Sequence, residues 1–124
     1  MNLLIDTHVL LWALDDDPSL SPAARATITN GRNVVFASAA TVWEIVIKKT
    51  LGKLHAPTDS YLDELRRHRF TPPDITSQHA LAIEMLPMHH TDPIDRLLVA
   101  QAQVEKLTLV TREARWQTYA VPII

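Results

Sequence analysis

The chain has no cysteine, only two glycines, and no apolar run approaching a membrane span. Each shortage excludes something. Without cysteine there is no disulfide framework and no thiolate metal site, which fits a reducing cytoplasm. With two glycines, the Gly-rich phosphate loops of nucleotide- and dinucleotide-binding proteins are ruled out. The apolar stretches fall well short of the ~20 residues a bilayer requires, so no membrane association is expected. The first residues, Met1 to Asp6, lack a basic region, and their apolar run is too short for a signal peptide. There is no Gly-x-Ser-x-Gly and no evident Ser/His/Asp relay, so covalent catalysis has no support. Internal repeats and low-complexity segments are missing too.

What is present describes one globular domain over residues 1–124, long enough for a substantial core. Hydrophobic residues make up 47% and charged residues 21%, as in an ordinary globule. Twelve basic residues stand against fourteen acidic ones, a net charge of −2. That balance argues against a wholly basic nucleic-acid-binding domain. It leaves room for a metal enzyme whose acidic cluster has a locally basic rim.

Strands and helices alternate along the chain. Leu3-Leu4-Ile5 reads as a buried strand of a parallel sheet, with Asp6 at its carboxyl end. Val9 to Leu14 form a short apolar helix, capped by Asp6 or Thr7. Asp15-Asp16-Asp17-Pro18 is a solvated turn. Ser21-Pro22 opens a helix that Asn30-Gly31 closes. Val34 to Ala37 form the second strand, and Ser38 caps a helix from about Ala40 to Leu51. Pro57 and Thr58 or Asp59 introduce a helix to about His68, with Tyr61, Leu62 and Leu65 on its apolar side. Phe70 to Pro73 are extended, and Thr76 or Ser77 caps another helix. His79, His89 and His90 read as loop histidines. A helix from Asp92 to Glu105, a strand over Leu107 to Val110 and a last strand over Tyr119 to Val121 complete the pattern. This alternation predicts a parallel sheet flanked by helices.

The stretch from His89 to Ala102 carries more acid than capping requires. Asp92 before Pro93 is an N-cap followed by proline at the first helical position. Asp95 falls in the first turn, near the helix's positive end, where a carboxylate stays ionised. Two readings stand: Asp92 and Asp95 form a capping box, or they are metal ligands. Glu44 poses a similar choice. Between Trp43 and Ile45 it is costly to bury unless paired or metal-bound, and Lys48 lies four residues on as a helical ion-pair partner.

Topology brings these acids together. Asp6 follows strand one, Glu44 lies in the helix after strand two, Asp95 opens the helix before strand three, and Glu113 follows strand three. Carboxyl ends of parallel strands share one edge, where α/β sheets bind ligands. Clustered carboxylates repel one another, and a hard divalent cation, Mg²⁺ or Mn²⁺, relieves that. The chemistry expected of such a site is phosphodiester hydrolysis. Lys48, Lys49, Arg66, Arg67 and Arg69 are candidate phosphate contacts beside the cleft, or else solvated faces. Trp12, Trp43 and Trp116 are candidates for base stacking, although Trp12 and Trp43, at apolar helix positions, are expected in the core.

Leu3-Leu4-Ile5-Asp6-Thr7-His8, Trp43-Glu44-Ile45, the string Asp92-Pro93-Ile94-Asp95-Arg96-Leu97-Leu98-Val99-Ala100-Gln101-Ala102 and Leu109-Val110-Thr111-Arg112 resemble the PIN-domain ribonucleases. More narrowly they resemble the VapC toxins of bacterial type II toxin–antitoxin systems. The likeness spans essentially the whole chain, in order and at the right spacing. It implies a three-layer α/β/α PIN domain with a central, mostly parallel sheet. It implies a Mg²⁺-dependent endoribonuclease toxin acting on structured RNA, such as tRNA or rRNA loops. Asp6, Glu44 and Asp95 match the metal-binding acids, with Asp92 and Thr111 in support. Glu113 stands where the family usually has Asp, which leaves open a catalytically weak module that binds RNA or a protein. The resemblance also implies a homodimer, for which the apolar side of the Tyr61–Leu65 helix is available. A cognate, VapB-like antitoxin would lie along the cleft.

Overall fold

The computed structural model describes residues 1–53, 61–71, 74–86 and 92–111. The expected cap near Pro57, His89, His90, Arg112, Glu113, Trp116 and the expected strand over 119–121 lie outside the described residues. The elements run β1 (Asn2–Ile5), α1 (Thr7–Leu14), α2 (Pro22–Thr29), β2 (Val34–Ala37), α3 (Ala39–Thr50), α4 (Tyr61–Arg67), β3 (Phe70–Thr71), α5 (Ser77–Ala82), a 3₁₀ turn (Ile83–Met85), α6 (Pro93–Glu105) and β4 (Thr108–Val110). All four strands are parallel, in the order β3-β2-β1-β4. Leu4 sits opposite both Phe36 and Leu109, which makes β1 an interior strand.

The side-chain alternation of the strands divides the core in two. Leu3 and Ile5, with Val35, Ala37 and Val110, face a layer built from Val9, Leu10, Ala24, Ile28 and Leu65. Leu4 and Leu109 face the opposite way, onto Ile94, Leu98, Val99 and Ala102 of α6. With both faces covered, the β1 residues Leu3, Leu4 and Ile5 have no exposure at all. A three-residue run without polar alternation is what a doubly covered parallel strand demands.

Capping chemistry sets the helix starts. Ser21 accepts from the Ala24 N–H and Pro22 occupies the first helical position. Ser38 accepts from Ala40 N–H. Thr76 caps α5 in a capping box whose returning partner is the His79 side chain. The acidic turn is indeed a turn: Asp17 accepts from the Ser19 N–H, which holds its carboxyl below the ordinary range, and Asp16 pairs with Arg25.

Three expectations need correction. Trp43 is 57% exposed and is not a core residue; Trp12, in contrast, is partly buried and packs against the core, with His8 stacked on it at 5.9 Å between ring centroids. His79 is no loop residue: it lies in the first turn of α5, is 2% exposed, and its Nε2 meets Glu105 at 2.7 Å. Tyr61 and Leu65 are buried in the core, so they offer no apolar surface for a second copy.

Candidate active site

Each acid reaches the carboxyl edge of the sheet by local necessity. Asp6 is the first residue after β1. Its N–H still bonds Val110 O at 3.2 Å, while its Oδ1 caps α1 by accepting from the Val9 N–H at 2.8 Å. The Thr111 hydroxyl, just past β4, donates to Asp6 Oδ2. Asp6 is therefore held by two elements and is 3% exposed.

The next residue, Thr7, reaches across to α3. Its hydroxyl donates to Glu44 Oε1, and both residues are buried. The Lys48 Nζ lies 3.5 Å from Glu44 Oε2, one turn along the same helix. Glu44 is thus both buried and paired, which combines the alternatives left open by the sequence. On the far side, Asp92 Oδ1 accepts from the N–H groups of Ile94 and Asp95 at 2.9 and 3.1 Å, capping α6. The Arg96 guanidinium donates to the carbonyls of Ile83 and Leu86 and ties the 3₁₀ turn to the start of α6.

Glu44, Asp92 and Asp95 each present a carboxylate oxygen, and these oxygens lie within 4.8 Å of one another. Asp95 is 9% exposed, as is Glu44. Asp6 is not one of this close trio; the link between them is its neighbour Thr7, which bonds Glu44. Glu113, the remaining acid of the expected set, lies outside the described residues. Three hard oxygen donors at this spacing fit a small divalent cation such as Mg²⁺ or Mn²⁺, which bind through carboxylates and keep several waters.

Sequence reasoning missed Thr7. The signal was available, because a hydroxyl directly after a strand-end acid sits at the same sheet edge. It also misplaced part of the basic rim. Arg66 and Arg67 end α4 and Arg69 precedes β3, so they belong to the amino edge of the sheet, away from the acids. Lys48 and Lys49 are in the last turn of α3, with Lys48 directly on Glu44.

The fold and this acidic edge define an α/β domain with a carboxylate cluster at the carboxyl ends of its strands, and comparison with known proteins identifies the family. The model of the PIN domain matches residues 3–122, and the chain belongs to the PIN-domain family. It is 28% identical over 123 residues to Ribonuclease VapC22 of Mycobacterium tuberculosis, covering 97% of this chain and 93% of that protein. Among solved structures it resembles a chain of VapBC2 from Rickettsia felis bound to a DNA fragment from their promoter. That match has a TM-score of 0.73 at 15% identity and covers 100% of this chain and 98% of the other. VapBC-1 from nontypeable Haemophilus influenzae matches with a TM-score of 0.63 at 16% identity, covering 100% and 97%. At these identities the structural matches establish the fold.

Proposed function

We propose that this chain is a divalent-metal-dependent endoribonuclease, the toxin of a toxin–antitoxin pair. The observation that carries the reading is the convergence of Glu44, Asp92 and Asp95 within 4.8 Å at the carboxyl edge of a PIN sheet. Likeness over nearly the full length to a protein named as a ribonuclease supports the reaction, and the likeness to VapBC structures supports a VapB-like partner.

Glu44, Asp92 and Asp95 hold the ion, with Asp6 beside them and Glu113 as a further acid. Mg²⁺ or Mn²⁺, when bound, supplies Lewis acidity at a phosphodiester and a lowered pKa for water. The chain's own residues supply the geometry. Thr7 fixes one oxygen of Glu44, and the other lies beside Lys48. Thr111 and the Val9 N–H fix Asp6. Asp92 holds α6 so that Asp95 enters the cleft from the first turn. Lys48 places a positive charge beside Glu44, suited to a phosphate oxygen arriving at the site. The substrate is structured RNA such as a tRNA or rRNA loop, the chain works as a homodimer, and its compartment is the cytoplasm.

The test is cleavage of a total-RNA pool by purified protein with Mg²⁺ and with EDTA. Discrete fragments that need both the metal and Asp95, and that vanish in Asp95→Asn, are the expected result. Retained cutting by Asp95→Asn or Asp6→Asn overturns the assignment of the site. RNA bound but never cut, with any metal, makes the chain a binding module; single-stranded DNA cut in preference to RNA makes it a DNA nuclease.

A further inference from the structure

A second polar concavity lies at the opposite edge of the sheet. The 30–33 loop enters β2 and Arg69 enters β3, so both stand at amino ends, whereas the acids stand at carboxyl ends. A four-residue strand separates the two edges by about 13 Å of backbone. Here α2, the loop and the α4–β3 turn enclose a cavity of about 340 Å³. That is within the range of small-ligand sites, about 300–1,000 Å³.

Its lining is polar and apolar in about equal measure. Arg25, Arg67 and Arg69 line it beside Thr29, Asn30 and Asn33, and among the described residues no carboxylate does. Arg67 pairs at 2.9 Å with the partly buried Glu64, whose other oxygen lies 3.8 Å from His68 Nε2; Arg25 pairs with Asp16, whose side chain is 86% exposed, and also donates to the Asp17 carbonyl at 3.1 Å. Surface pairs of this kind are weak and exchange readily for a stronger anion. Arg69 has no carboxylate partner among the described residues. The lining also has an apolar part: Leu20 and Phe70 are buried, and the His68 ring is tilted against Phe70 at 5.7 Å between centroids.

We propose that this cavity is a nucleotide subsite, distinct from the acidic edge. Arg69 and Arg67 take the phosphate oxygens, for which the planar guanidinium fork is suited. The base lies on the apolar part against His68, as unstacked bases do on aromatic side chains. A bare phosphate leaves that part unused, so the ligand class is a nucleoside phosphate. It comes from one of two sources, a free mononucleotide or one nucleotide of an RNA strand. The inference does not rest on the nuclease reading, because it requires binding and no cleavage.

Titrations of the full chain in EDTA, with adenosine 5′-monophosphate, inorganic phosphate and decauridylate as probes, test it. EDTA keeps divalent cations from bridging these anionic probes to the acidic cluster. Arg69 has φ 60°, a conformation glycine adopts without strain, so Arg69→Gly removes the charge and leaves the fold intact. The expected result is adenosine monophosphate bound more tightly than phosphate, weakened about tenfold in Arg69→Gly. Arg69→Lys retains part of the binding, and the thermal melt of either variant is no lower than the parent's. Competition by decauridylate, lost in Arg69→Gly, assigns the subsite to a strand; its failure to compete assigns it to free nucleotide. Adenosine monophosphate binding that is absent at millimolar concentration, or indifferent to both Arg69→Gly and Arg67→Ala, overturns the site. Phosphate bound as tightly as the nucleotide overturns the ligand class.

Discussion

Neutralising Asp92 should make the metal-free protein more stable and the metal-loaded protein less responsive. Asp92 stands within 4.8 Å of carboxylate oxygens on both Glu44 and Asp95. Two unit charges at that distance repel by about 3 kcal/mol at an effective dielectric of about 20, and by about 1 kcal/mol at the dielectric of water. Asp92 is partly exposed, so the lower end applies, and two such pairs give about 2 kcal/mol. Asn keeps the cap, because its side-chain oxygen accepts from the Ile94 and Asp95 N–H groups as Asp92 does. What it gives up is the charge at the positive end of α6, about 0.3–1 kcal/mol. The net gain for Asp92→Asn in EDTA is about 1–2 kcal/mol, or roughly 4–8 °C in melting temperature for a chain of this size. The parent, in contrast, gains from the ion: a metal at a hundred times its Kd adds about 2.7 kcal/mol. The assay is thermal unfolding of both proteins at pH 8, in EDTA and across a Mg²⁺ or Mn²⁺ titration. The curves should converge as metal is added, with the larger rise in the parent. An Asp92→Asn protein melting at or below the parent in EDTA refutes the repulsion. A parent indifferent to both metals refutes the shared site.

Thr7→Val keeps the shape of a buried residue but removes the hydroxyl that holds Glu44; it should cost about 1–3 kcal/mol in denaturant unfolding and lower cleavage at fixed metal, with part of the activity recovered at higher metal concentration. Tyr61 is buried, its hydroxyl meets no partner among the described residues, and burial pushes its phenol well above the ordinary range. The native state therefore keeps the neutral phenol: stability is intact below about pH 10 and falls as pH rises through the unfolded-state value toward the folded one, because only the unfolded chain ionises. Tyr61→Phe should remove this loss, seen as a smaller drop in urea midpoint between pH 8 and pH 11 than the parent shows. His79→Ala removes a buried ring that accepts from the Thr76 N–H and meets Glu105, and should cost about 2–4 kcal/mol of stability while metal-dependent stabilisation persists.

Local chemistry made most of the framework legible. The run Leu3-Leu4-Ile5 announces a doubly covered strand, and Ser21-Pro22, Ser38 and Asp92-Pro93 announce helix starts that the caps reproduce. The misreading of α3 has a physical cause. Its buried stripe is Ala40, Thr41, Glu44 and Ile45, whereas Trp43 and Val46 face outward. Hydrophobic periodicity assigns Trp43 to the core and Glu44 to solvent, and the site reverses both. Such reversals are found where function overrides patterning. In α6 the same reversal buries Asp95, Arg96 and Gln101. Spacing marks Tyr61 and Leu65 as an apolar side, but only the packing shows that the core, not a second copy, consumes it.

The basic residues show a different limit. Arg66, Arg67 and Arg69 form the densest positive run in the chain, and sequence proximity says nothing about which end of the sheet they occupy. That is decided by β3: two residues, Phe70 and Thr71, pair in parallel with Val35 and Phe36, which fixes the run at the amino edge. A strand this short has no periodicity to read. Once it is placed, the net charge of −2 no longer describes the molecule well. It averages an acidic carboxyl edge against a guanidinium-lined amino edge, and the field a phosphate meets depends on the edge it approaches. Without metal the acidic edge repels phosphate and the guanidinium edge attracts it; a divalent ion between Glu44, Asp92 and Asp95 changes the sign only at the first. The two edges can therefore be titrated separately on one chain, by metal at the carboxyl end and by substitution of Arg69 at the amino end.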